Sequence, residues 1–95
     1  MYCIVAYDRR TGVDYSPLLG LLESFHEHWH LQESVWIVGP VASAHGLANE
    51  VAQRLDEKDL LIVQQLTEEC AWLGYTTAGD TWLRNRAQRS TDPIG

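Results

Sequence analysis

The sequence predicts an α+β fold, an antiparallel sheet with two helices on one face, and three observations carry that expectation. Apolar segments at residues 2–7, 28–38 and 60–66 have the composition or the two-residue alternation of strands. Two stretches between them, beginning near Ser16 and Ser43, repeat apolar residues at helical spacing. With Glu33 and Ser34 as a connection dividing 28–38, the order is β-α-β-β-α-β with short loops, the split βαβ plan of a ferredoxin-like sandwich.

Each element has its own warrant. The first strand, YCIVAY, is rich in strand formers and is stopped by Asp8, Arg9, Arg10, Thr11 and Gly12. Ser16 as N-cap and Pro17 as first helical residue start the first helix, in which Leu18, Leu22 and Phe25 share a face as far as about His26. Gly20 is its weak point. A short second strand and a longer third one follow, closed by Gly39 and Pro40. Ser43 caps the second helix, whose stripe is Ala44, Leu47, Ala48, Val51 and Leu55. Asp56 to Asp59 make a charged turn before the fourth strand, LLIVQQL. Beyond it lie an apolar patch at Ala71, Trp72, Leu73 and Tyr75, a glycine-bearing turn near Gly79, a short helix around Trp82 and Leu83, and a frayed tail from Arg89. Residues 1–88 therefore read as one domain with a C-terminal strand or helical extension, and 89–95 as disordered.

Composition narrows the function. With 45% apolar and 21% charged residues the chain has ordinary globular usage, which excludes disordered and disulfide-scaffold classes. Thirteen acidic against seven basic side chains leave a net charge of −6, which opposes broad electrostatic attraction to nucleic acid or anionic membrane. Contact with DNA or RNA then has to be local or metal-assisted. Cys3 and Cys70 stand apart in apolar surroundings and read as reduced thiols of a cytoplasmic protein, with a single disulfide as the alternative. The longest apolar runs fall far below the roughly 20 residues that cross a bilayer. No nucleotide-binding glycine loop, nucleophile elbow or zinc-finger spacing is present.

The strands pose a packing problem. Tyr2, Ile4 and Ala6 alternate with Cys3, Val5 and Tyr7, Val35 and Ile37 with Trp36 and Val38, and Leu61 and Val63 with Leu60 and Ile62, so both sheet faces are apolar. Two helices cover only one. The expected cover for the other is a second copy of the chain, giving a two-fold homodimer, with the C-terminal segment folding back over that face as the alternative.

The stretches YCIVAYD and HLQESVWIVGP, in this element order, resemble the CRISPR-associated protein two superfamily. AYD followed by DY, and then WHLQESVW, are most similar to its SinR-like branch, with VapD-type toxins more distant; the likeness spans residues 1–66. It implies a ferredoxin-like homodimer with sheets stacked face to face. Activities in that group include spacer acquisition and metal-dependent cleavage of nucleic acid, and fold alone settles none of them.

Asp8, at the end of the first strand, is where the resemblance places a metal ligand. One carboxylate is a poor Mg²⁺ site, but a two-fold axis beside the strand end supplies a second, and Mg²⁺ is commonly held by one or two carboxylates with phosphate and water. The plain reading is a turn-initiating aspartate. Arg9 and Arg10 suit phosphate through their forked guanidinium groups, or are solvated charges. His30 is available as a general acid and Ser34 as a hydrogen-bond donor to phosphate or a turn residue. His26, His28 and His30 alternate in a way that suggests Zn²⁺ or Ni²⁺ only if all three are extended. Arg84, Arg86 and Arg89 with Trp82 form a second basic set better explained by solubility. Three functions emerge: a Mg²⁺-dependent endonuclease with Asp8, His30 and Ser34 as catalytic candidates, a non-catalytic dimeric scaffold for a partner protein, and, behind both, a small-ligand or metal sensor using the histidines.

Overall fold

The computed structural model describes residues 1–67, 73 and 77–86. The order of elements is β1 (Cys3–Asp8), α1 (Ser16–Glu23), β2 (Glu27–Gln32), β3 (Val35–Gly39), α2 (Ala44–Ala52), β4 (Leu60–Gln65) and α3 (Thr77–Arg86). The chain divides into two compact units, residues 1–65 and residues 66–95. The first holds a four-stranded antiparallel sheet in the order β2-β3-β1-β4, with β2 and β4 at its edges. No described helix is long and apolar enough to cross a membrane.

One face of the sheet carries the core. Register places Cys3 opposite Val38 and Val5 opposite Trp36. These four side chains and Tyr7 are buried with Leu18 and Leu22 of α1 and Leu47 and Val51 of α2 in one cluster. Leu61 and Val63 of β4 pack against its margin. Both helices therefore spend their apolar stripes on the same side, at roughly 1.5 to 3 kcal/mol for each fully buried aliphatic side chain.

The other face is also apolar, and its cover is uneven. It takes Ile4 opposite Ile37 and Gln64, Ala6 opposite Val35 and Ile62, Asp8 opposite Leu60, and Trp29 opposite Ile37. Ile37 is buried, whereas Leu60 and Ile62 on the β4 edge are 53% and 62% exposed.

Local chemistry corrects three expectations about the elements. Ser16 is the first helical residue rather than the cap: Tyr15 stands at the cap position, and the Ser16 N–H is accepted by Asp14 Oδ1 at 2.9 Å. An aspartate two residues ahead satisfies this orphan N–H, so the helix starts at the serine instead of after it. α1 ends at Glu23 instead of His26, with Ser24 Oγ donating to the Leu21 carbonyl at 2.6 Å. Gly79 is inside α3 rather than in a turn. Ser43 does cap α2, its Oγ accepting the Gly46 N–H at 2.9 Å. Within the apolar patch beyond β4, Ala71, Trp72 and Tyr75 lie outside the described residues, as do Cys70 and the tail from Arg89; Leu73 is exposed.

The hairpin follows the sequence pattern closely. Glu33 and Ser34 form the turn between β2 and β3, and a bulge between His30 and Gln32 adjusts the register. At the far end of β3, Gly39 joins Pro40 through a cis peptide bond. The Tyr2 ring lies directly on Gly39, and Tyr2 Oη donates to the Glu27 carboxylate. A methyl group on Gly39 would meet Tyr2 Cε1 at 2.8 Å and Cγ at 2.9 Å. Gly39→Ala is accordingly expected to cost about 1–3 kcal/mol through overpacking, measured as a lower urea midpoint at unchanged slope.

Candidate functional site

The candidate residues gather at one end of the sheet, where β1 exits, β4 enters and the β2–β3 turn closes. Asp8 is exposed and belongs to the face opposite α1 and α2, beside Leu60. A shallow depression there is lined by Ala6, Tyr7, Asp8, Leu60, Leu61 and Ile62. Asp8 Oδ2 receives Arg10 Nε at 2.8 Å, an exposed ion pair that gives the carboxylate a guanidinium partner two residues away.

Both arginines are engaged within the chain. Arg9 approaches Glu33 Oε1 through Nη2 at 3.6 Å and sets its guanidinium 5.2 Å from the centre of the Tyr15 ring. The Arg10 backbone N–H donates to Asp59 Oδ1 at 2.7 Å. A phosphate arriving at this end would compete with these carboxylates for both guanidinium groups.

Ser34 contributes its backbone: its carbonyl accepts the Tyr7 N–H at 3.1 Å, tying the hairpin turn to β1. His30 belongs to the helix-bearing face, since it pairs with Trp36, which pairs with Val5. Its imidazole stacks on the Trp36 indole with centroids 4.1 Å apart and planes 13° apart, and Nε2 is 2.9 Å from the Glu33 carbonyl. Asp8 and His30 therefore stand on opposite sides of the same sheet, and within one chain they do not converge. The Arg10 contact brings Asp8 and Arg10 together; Arg9 and Ser34 lie at the same end without joining that pair. Of the alternating histidines, His26 follows α1 and precedes β2, so only His28 and His30 share a strand face. Among the described residues, no group of three or more His, Cys, Asp or Glu side chains is placed to hold a metal ion. Cys3 is free and buried, and burial pushes its thiol up.

Asp59 organises this end, and its role was not apparent in the DEKD turn. Its carboxylate receives the Arg10 N–H, the Asp56 N–H at 2.8 Å and the Tyr15 hydroxyl, 2.9 Å from each oxygen. One side chain thus joins the segment after β1, the start of α1 and the entry to β4. The available signal was an aspartate three residues after Asp56, the spacing at which a side chain returns to a turn N–H. Partial burial raises the Asp59 carboxyl, but hydrogen bonds from Arg10, Asp56 and Tyr15, with the Arg10 charge, outweigh it and hold the group below the ordinary 3.8. The folded value being lower than the unfolded one, the stabilisation is complete above the ordinary aspartate range and is lost as pH falls through the folded value. Asp59→Asn should therefore be less stable than the wild type at neutral pH. Urea unfolding at decreasing pH should show that gap closing below the ordinary aspartate range; a gap constant with pH would contradict the linkage.

No protein-family model matches the chain, and neither a curated protein nor a solved structure does.

Proposed function

We propose that the chain is a ferredoxin-like homodimeric interaction module, self-associating through the sheet face that bears Leu60 and Ile62. The observation that carries this reading is the exposure of those two large apolar side chains on an edge strand, next to an apolar sheet face. The strand order, with β3 between β1 and β2 and both helices packed on one cluster, supports the ferredoxin-like plan. The engagement of Arg9 and Arg10 by carboxylates and the net charge of −6 favour a scaffold that holds a partner protein over a nucleic-acid enzyme. Sedimentation equilibrium tests it: a mass of two chains is expected, and a single-chain mass at high concentration refutes it.

A second reading, Mg²⁺-dependent cleavage of RNA or DNA, draws on the position of Asp8 beside the exposed pair. A dimer seam at that face would bring two Asp8 carboxylates near one axis, and a divalent ion there would displace Arg10 from each. The two Asp8 carboxylates would hold the ion, which would supply charge neutralisation of a phosphate, and Arg10 would be a phosphate partner beside it. Labelled RNA and DNA incubated with Mg²⁺ or Mn²⁺ should then be cut by the wild type and at least about a hundredfold more slowly by Asp8→Ala, the scale of losing a group that acts in the transition state. Equal rates for the two proteins remove the nuclease reading and leave the scaffold. Full activity in His30→Ala would assign His30 to packing.

A further inference from the structure

We propose that His28 and His30 form a two-nitrogen binding site for a borderline divalent cation, of the Cu²⁺, Ni²⁺ or Zn²⁺ kind, on the outer edge of the sheet. The two residues are i and i+2 on β2, an edge strand, and both are exposed on the helix-bearing face. Strand geometry sets such neighbours about 6.7 Å apart with parallel side-chain directions. Imidazoles leaning toward one another from that distance can span one ion through metal–nitrogen bonds of about 2.0 to 2.1 Å.

The hydrogen bonds decide which nitrogens are available. His28 Nδ1 lies 3.1 Å from the Phe25 carbonyl, and His30 Nε2 lies 2.9 Å from the Glu33 carbonyl. A carbonyl oxygen only accepts, so each of these ring nitrogens carries the proton in the neutral imidazole. That leaves His28 Nε2 and His30 Nδ1 with their lone pairs, and no described side chain is bonded to either. Donation of the opposite N–H to a backbone carbonyl is the arrangement that orients histidines bound to metals and raises their basicity. The stacking of His30 on buried Trp36 restricts its ring further, and His28 lies 6.2 Å from the same indole. Two imidazoles leave the ion's other positions to water or to a ligand from outside. Such nitrogen donors suit Cu²⁺, Ni²⁺ and Zn²⁺ and disfavour Mg²⁺, which prefers oxygen. The site is therefore chemically separate from Asp8, on the opposite face.

The test is titration of the full chain with Cu²⁺, Ni²⁺, Zn²⁺ and Mg²⁺, followed by calorimetry and by the imidazole proton resonances. One ion per chain is expected, tightest for Cu²⁺, with His28 and His30 signals perturbed first and Mg²⁺ leaving both unchanged. His28→Ala and His30→Ala should each weaken binding by about tenfold or more, at least the loss seen when only an orienting partner is removed. The other two histidines, His26 and His45, provide controls whose alanine variants should bind as the wild type does. His28→Ala tests the site without touching the stacked ring, so a folding defect in His30→Ala leaves the test intact. Wild-type affinity in His28→Ala, or His26 or His45 signals responding before those of His28 and His30, overturns the site.

Discussion

Trp36→Ala is expected to remove about 3–5 kcal/mol of folding stability, the range for truncating a buried large aromatic residue. Trp36 is 3% exposed, donates its Nε1–H to Tyr7 Oη at 3.2 Å and supports the His30 ring from below. Its removal opens a cavity between β1, β3 and the helices and leaves a buried tyrosine hydroxyl without its donor. Domains of this size are stable by about 5–15 kcal/mol, so the variant should be near the margin of folding. Trp36→Phe is the milder change, keeping the six-membered ring while losing the hydrogen bond and the five-membered ring, and should cost less than the alanine variant. Urea unfolding measures both, and a loss below 1 kcal/mol for Trp36→Ala would show that the surrounding side chains collapse into the space.

The second large effect concerns association. Ile62→Glu, or Leu60→Glu with it, places charge on the two most exposed apolar positions of β4. Both side chains already face water, so the fold should change in stability by no more than about 0.5 kcal/mol, as surface substitutions do. A dimer joined through this face would instead bury uncompensated carboxylates, and its dissociation constant should rise by at least a hundredfold, about 2.7 kcal/mol. Sedimentation should find the wild type as a pair and the variant as a single chain with an unchanged circular dichroism spectrum. A variant that still pairs would move the interface away from β4.

Legibility in the sequence depended on the range of the interaction. The β2–β3 hairpin was readable because its alternation and its Glu33–Ser34 turn are local, and the Ser43 cap because it acts within three residues. The first residue of α1 is not legible in the sequence, since Asp14 and Ser16 both offer an oxygen to backbone N–H groups at this helix start and sequence alone does not say which of them is used. For the candidate site, the grouping of Asp8 with Arg10 was visible as adjacency, whereas the capture of Arg9 by Glu33 and Tyr15 was not. Asp59 reads in the sequence only as part of a charged turn, because its partners at Arg10 and Tyr15 are 49 and 44 residues away.

By itself the sequence determined the elements, their α+β order and the apolar character of both sheet faces, since periodicity and turn chemistry act over a few residues. Only the tertiary structure decided that Asp8 and His30 stand on opposite sides of the sheet. That outcome depends on which strands pair and in what register, and a shift of one residue would exchange the two faces of every strand. The same pairing placed β2 and β4 at the edges, setting the two histidines on one border and the exposed Leu60 and Ile62 on the other.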